Sequence, residues 1–249
     1  GYTLPKGHKF VKFISTVGLD NGGTDQGNCG NQASVQFHVF TQKPKFAVAA
    51  SGGGQAVGGR TPEEALKNLD VHPALQVELF AAEPMLLSPS NIDIDHRGRV
   101  WVCEVVNYRG HRNKRKEGDR ILILEDTDGD GKADKVTVFA EGLSVPTSLL
   151  LVNEGLLVAQ APHFLLLKDT DGDDRADEKE ILFSGWGTGD THAGPSNLRL
   201  GLDNQVYGTV GYSSFNGKVG GESIRFGSGI FRLSPDFQKM EFLASTSNN

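Results

Sequence analysis

The sequence predicts an all-β protein, most of it a partial β-propeller of three four-stranded blades, and three observations carry that expectation. The phrase "LILEDTDGDGKADKVTVF" from Leu122 returns as "LLLKDTDGDDRADEKEILF" from Leu165, with Asp126 and Asp169 in equivalent places 43 residues apart. Periods of about 40–50 residues mark propeller blades or helical arrays, and the short branched runs around each loop favour strands. A second phrase occurs three times: "SPSNIDIDHRGRVWVCEV" from Ser88, "VPTSLLLVNEGLLVAQ" from Val145 and "GPSNLRLGLDNQVYGTVG" from Gly194. Each reads as a Pro turn, a strand, a polar turn and a second strand. Third, 32 glycines against a hydrophobic content of 37% suit a turn-rich β protein.

In chain order, "FVKFISTVGLD" and "ASVQFHVFT" are two alternating strands around a Gly/Asn-rich loop, a β-sandwich fragment over residues 1–48. "AASGGGQAVGGR" (49–60) has linker composition. Thr61-Pro62-Glu63-Glu64 is a capping-box start with Pro at the first helical position, predicting a short helix over about Pro62–Asp70 that leads into a strand, "LQVELFAA". Each thrice-repeated phrase is followed by another strand pair: 120–125 with 135–140, 164–168 with 179–183, and 229–233 with 239–244. That makes three blades over residues 61–249, where closed propellers have about 4–8. The chain therefore reads as the N-terminal half of a larger propeller, and its open blade faces are expected to expose apolar sheet and promote association.

A formal charge of −6 and a pI near 5.6 argue against general nucleic-acid binding. No apolar run approaches the ~20 residues that span a bilayer. No signal peptide is visible at the start, and Cys29 and Cys103 fall in different segments, which disfavours a mutual disulfide. "HRNKRK" (111–116) reads as a solvated loop. There is no G-x-S-x-G elbow, P-loop or C-x-x-C-H.

The acidic loops carry calcium-type spacing. Asp126, Asp128, Asp130 and Asp134 hold positions 1, 3, 5 and 9, with Gly131 at position 6 and Thr137 at position 12. Asp169, Asp171, Asp173 and Asp177 repeat the pattern with Glu180 at position 12 and Asp174 in place of the glycine. So many like charges in one turn are unfavourable unless a cation or solvation relieves them, so structural calcium is expected, with an Asx-rich turn as the alternative.

"KFVKFISTVGLDNGG…SVQFHVF" resembles the NPCBM module, a carbohydrate-binding β-sandwich. "LFAAEPMLLSPSNIDIDHRGRVWVCEVVNYRG", "EDTDGDGKADK" and "GDTHAGPSNLRLGLDNQVYG", in that order, resemble the propeller of planctomycete-type membrane-bound dehydrogenases. That family is similar to the soluble quinoprotein glucose and sorbosone dehydrogenases, six-bladed propellers holding pyrroloquinoline quinone and calcium. The resemblance implies oxidation of a sugar or related alcohol by a periplasmic or extracellular protein. It also implies that any haem sits in a cytochrome domain outside this chain. By the family's motif, His192 is the base and Asp190 precedes it, while Tyr212 stands where the relatives place the carboxylate that orients the His. A histidine suits this task because its pKa lies near working pH. Glu104, Asn107 and Arg109, with Tyr108, follow the strand "RVWVCEV" and could contact a sugar or a quinone carboxylate. Two rival readings stay open: a non-catalytic carbohydrate- or surface-binding protein on a calcium-stabilised scaffold, and a propeller lactonase or hydrolase.

Overall fold

The structure is a computed structural model that describes residues 61–108 and 114–246. The β-sandwich fragment, the linker, Cys29 and Arg109 lie outside the described residues. The chain divides into two compact units, one of Gly1–Ala82 with Asp130–Lys132, the other of Glu83–Gly129 with Ala133–Asn249. In the first, helix α1 spans Pro62–Lys67, three residues shorter than expected. Its capping box is complete: the Thr61 hydroxyl accepts from the Glu64 N–H at 3.2 Å, and the Glu64 carboxylate accepts from the Thr61 N–H at 2.9 Å. "LQVELFAA" forms no strand. An extended segment needs a neighbour for its backbone groups, and no ladder pairs with this one among the described residues.

The second unit holds every strand among the described residues, in three antiparallel four-stranded sheets and one two-stranded hairpin, and is a partial β-propeller. Sheet one runs in the order β1 (Pro89–Ile94), β2 (Val100–Glu104), β3 (Asp119–Glu125) and β4 (Lys135–Leu143). Sheet two repeats it with β5 (Ser148–Val152), β6 (Gly155–Gln160), β7 (His163–Lys168) and β8 (Glu178–Ser184). In sheet three, β9 (Ser196–Leu200) and β10 (Val206–Val210) pair directly. An unanticipated hairpin, β11 (Phe215–Val219) and β12 (Glu222–Phe226), then intervenes before β13 (Gly229–Leu233) and β14 (Met240–Ser245) complete the sheet. Gly220 and Gly221 turn that hairpin at φ 56° and 87°, the left-handed pair that a two-residue turn demands.

The thrice-repeated phrase is the stitch between sheets. The Ser90 hydroxyl donates to the Pro146 carbonyl at 2.8 Å, and the Thr147 hydroxyl donates to the Pro195 carbonyl at 2.6 Å. One residue on, Asn91 Oδ1 accepts from the Leu149 N–H, and the Ser148 hydroxyl accepts from the Leu198 N–H, each at 3.1 Å. Strands β1, β5 and β9 are thereby the inner strands, each beside the next. Sheet two is sandwiched and therefore apolar on both faces. Leu149, Leu156, Val158 and Leu165 pack with Trp101 and Ile123 of sheet one. Leu150, Leu157, Phe164 and Leu166 pack with Leu198 and Phe231 of sheet three. Burying these leucines contributes about 2 kcal/mol apiece.

Sheet three differs. Along β10 and β13 buried residues alternate with half-buried ones, leaving Tyr207, Thr209, Ile230 and Arg232 on the face away from sheet two. That face is mostly polar rather than the apolar surface expected, with exposed Leu200, Leu202, Phe242 and Leu243 elsewhere on the same sheet and its turn. No helix among the described residues is long and apolar enough to cross a membrane.

Candidate functional site

The sheets have two ends, and the candidate residues divide between them. Pro89 pairs with Glu104, and Ser196 with Thr209, so the loops after β2 and β10 lie where β1 and β9 begin, beside the β8–β9 connection. Glu125 pairs with Lys135, and Leu124 with Val100, so the acidic loops lie at the opposite end.

At the first end, Asp190 caps a single 3₁₀ turn, Thr191–Ala193. Asp190 Oδ1 accepts from the His192 N–H at 3.0 Å and lies 3.4 Å from His192 Nδ1. Asp190 Oδ2 accepts from the Tyr212 hydroxyl at 2.6 Å. The turn is tied down by the Ser213 hydroxyl donating to the Asp190 carbonyl at 2.6 Å and the Gly211 N–H donating to the Ala193 carbonyl at 3.0 Å. The His192 imidazole is about half exposed, 52% for the side chain, and so reaches solvent and any solute. From the loop after β2, the Tyr108 hydroxyl lies 2.9 Å from either ring nitrogen, with the rings edge-to-face at 5.2 Å. Tyr108 and His192 are 84 residues apart in sequence, a pairing no local motif signals. The carboxylate partner in fact comes from Asp190, and Tyr212 steadies that carboxylate.

Glu104 and Asn107 spend their polar groups inside the chain. Glu104 is fully buried and accepts from the Leu87 N–H at 2.6 Å, from Arg115 Nη1 at 2.8 Å and from Arg120 Nε. Asn107 receives the Arg115 N–H at 2.9 Å and gives its amide to the Arg115 carbonyl at 2.8 Å. Asp119, buried and not singled out from sequence, takes the N–H groups of Val106 and Asn107 on one oxygen and that of Val145 on the other. These three side chains fix the loop that carries Tyr108. Cys103 is a buried free thiol, and burial pushes its pKa up, which makes it inert.

At the opposite end, the acidic loops share one hydrogen-bond scheme. Asp126 accepts from the Gly129 N–H and Asp169 from the Gly172 N–H, each at 2.7 Å. Asp134 holds the N–H and hydroxyl of Thr127, as Asp177 holds those of Thr170. Oxygens of Asp126, Asp128 and Asp130, and those of Asp169, Asp171 and Asp177, come within 4.8 Å of one another. Such oxygen sets suit a hard cation. Asp134, Asp173 and Glu180 stand outside these groups. Glu180 falls on β8 opposite Leu166, 3.9 Å from Lys168 Nζ, because position 12 here climbs a strand instead of turning back on a helix. For Asp169, burial would raise the pKa, but the N–H groups of Gly172, Asp174 and Asp173 outweigh it and hold the carboxyl below its ordinary value.

Asp174 fills the glycine slot at φ 64°, which Asp tolerates better than most residues. Its carboxylate meets Arg99 Nη1 at 2.7 Å, while Arg99 Nε donates to Asp95 at 2.7 Å and Trp101 Nε1 donates to Asp95 at 3.1 Å. Sheets one and two are latched there.

No curated protein sequence matches the chain significantly. Among solved structures it is similar to one described as a gluconolactonase, at 14% identity and TM-score 0.42 over 68% of this chain and 52% of the other. It is also similar to a glucose dehydrogenase-type oxidoreductase from Thermus thermophilus, at 17% and 0.36 over 56% and 43%. A third is a 6-phosphogluconolactonase from Bacteroides uniformis, at 12% and 0.37 over 66% and 58%. The chain spans about half the length of these proteins, and at such scores the likenesses add nothing to what the strands themselves show. Residues 61–249 match the family described as a domain of unknown function, DUF7133, and the chain belongs to that family.

Proposed function

We propose that the chain is part of a dehydrogenase-like propeller that oxidises a sugar or related alcohol, with His192 as the base. The observation that carries this reading is a half-exposed imidazole set between the Asp190 carboxylate and the Tyr108 hydroxyl at one end of the sheets. In alcohol oxidation the hydroxyl proton leaves to a base as hydride leaves the carbon. His192 takes that proton, and Asp190 beside Nδ1 stabilises the imidazolium that forms. The hydride needs an acceptor, and by resemblance that is pyrroloquinoline quinone. Its carboxylates call for cationic partners, yet Arg115 and Arg120 are spent on Glu104. The described residues alone do not fit that group. Calcium belongs to this proposal as a structural ion of the acidic loops, remote from His192. The setting that goes with it is periplasmic or extracellular, with a sugar as partner.

The test is dye-linked oxidation of a sugar panel by the full-length protein, with quinone and calcium added. His192→Ala should lower turnover by about 10²–10⁴-fold and spare the fold. Lactone hydrolysis without any electron acceptor would instead make the protein a hydrolase using the same base. Sugar binding with no turnover would make it a binding protein.

A further inference from the structure

We propose that Tyr108 and Tyr212 are the positioning residues of His192, an inference that rests on His192 being the base. The imidazole stands on a single 3₁₀ turn and is half exposed, and such a turn restricts the backbone more than the rotational freedom of the ring. Proton transfer is sensitive to such freedom, since a misplacement of about 1 Å can cost about a hundredfold in rate. Asp190 Oδ1 already accepts the His192 N–H and only approaches Nδ1, at 3.4 Å. Tyr212, donating to Oδ2 at 2.6 Å, stops the carboxylate from rotating and keeps Oδ1 facing the imidazole.

Tyr108 acts on the ring directly, from a different sheet. Its neighbour Asn107 is pinned through three hydrogen bonds, its N–H to Asp119 and its side-chain amide to both backbone groups of Arg115. Tyr108 therefore approaches from a fixed backbone. A phenol is neutral at working pH and both donates and accepts. It can donate to a bare nitrogen of neutral His192 and accept from an N–H of the imidazolium, so the contact survives the proton transfer. At 2.9 Å from both nitrogens the hydroxyl lies between them and off the in-plane direction of each, so a modest turn of the imidazole brings either nitrogen into line with it. A carboxylate in that place could only accept.

The experiment combines ¹⁵N NMR of the His192 ring with steady-state kinetics on the full-length protein and its Tyr108→Phe and Tyr212→Phe variants. Phenylalanine keeps the ring and removes only the hydroxyl. Tyr108→Phe should shift the His192 ring resonances and lower kcat about ten- to a hundredfold with KM little changed. Tyr212→Phe should act in the same direction and less strongly. Unchanged ring resonances in both variants overturn the proposal, whatever the kinetics show. Shifted resonances together with an inert His192→Ala substitution sink the base assignment and leave the positioning role standing. Should Tyr108→Phe fail to fold, Tyr212→Phe, at a side chain whose residue is 61% exposed, carries the same readout.

Discussion

The two ends of the three sheets are built on opposite principles. At one end the loops between β3 and β4 and between β7 and β8 copy each other almost bond for bond: the first Asp holds the fourth residue's N–H, and the ninth holds a threonine. At the other end, beyond the shared Pro-Ser or Pro-Thr entry into β1, β5 and β9, the loops that carry the candidate residues differ from one another. One carries Tyr108 behind Glu104 and Asn107, another the capped turn with His192, and a third Tyr212 and Ser213. Repetition serves a shared structural task, closing the outer strands of sheets one and two, whereas chemistry needs different groups converging on one point. The repeated loops are the conspicuous feature of the sequence, and the candidate base lies away from them.

On that contrast, the His192 end depends on single buried anchors. Glu104 is fully buried, and two guanidiniums and one backbone N–H converge on its carboxylate. Glu104→Ala leaves Arg115 and Arg120 facing each other without their counter-charge, and breaking such a pair costs about 3 kcal/mol or more. Denaturant unfolding should show this loss, larger than that from any single aspartate of the acidic loops. A loss under 1 kcal/mol would mean that the arginines find water and the loop after β2 is held otherwise.

How far the sequence revealed this follows the same divide. The strands of sheets one and two were legible because apolar runs and Asp-rich turns recur at fixed spacing. The Pro-Ser and Pro-Thr phrase is legible as a repeat, though its role, hydrogen-bonding the next sheet's Pro carbonyl, appears only once the sheets stand side by side. The β11–β12 hairpin was missed although Gly220-Gly221 between "FNGKV" and "ESIRF" is a hairpin signal. "LQVELFAA" misled because alternation marks only a capacity for pairing. At the site, His192 and Asp190 were readable through their neighbours in sequence. Tyr108 had no such cue as a partner of His192, since that contact spans 84 residues. Glu104 and Asn107 were read as facing a ligand, and only packing shows them turned inward.

A smaller effect tests the latch between sheets one and two. Arg99→Ala removes the hydrogen bonds to Asp95 and Asp174 and should cost about 1.5–3 kcal/mol, as charged hydrogen bonds do. Burial would raise the Asp95 carboxyl pKa, but hydrogen bonds from Trp101 and Arg99 outweigh it and hold the value below the ordinary one. A depressed folded-state pKa contributes stability that is present above the unfolded value, near pH 4, and lost as pH falls through the folded one. The gap between wild type and Arg99→Ala should therefore be constant near neutrality and narrow below about pH 4. A gap that widens in acid would show that Asp95 and Asp174 do not carry the latch.

The smallest effect concerns the repeated loops themselves. Calcium at a few times its dissociation constant should stabilise the protein by about 1 kcal/mol, a rise of a few degrees in Tm. The geometry says which carboxylates matter in the second loop. Asp171 belongs to the converging group with Asp169 and Asp177, while Asp173 stands outside it and accepts the Arg175 N–H at 2.9 Å. Asp171→Asn should thus abolish that loop's share of the calcium-dependent gain, and Asp173→Asn should leave it intact while costing a little stability with or without calcium. Equal losses in both variants would point to diffuse attraction between the ion and a patch of charge. A melting curve unmoved by chelator would make both loops acidic turns held by their own backbone N–H groups, with Asp169, which gathers those of Gly172, Asp173 and Asp174, as the pattern for how such a turn holds itself.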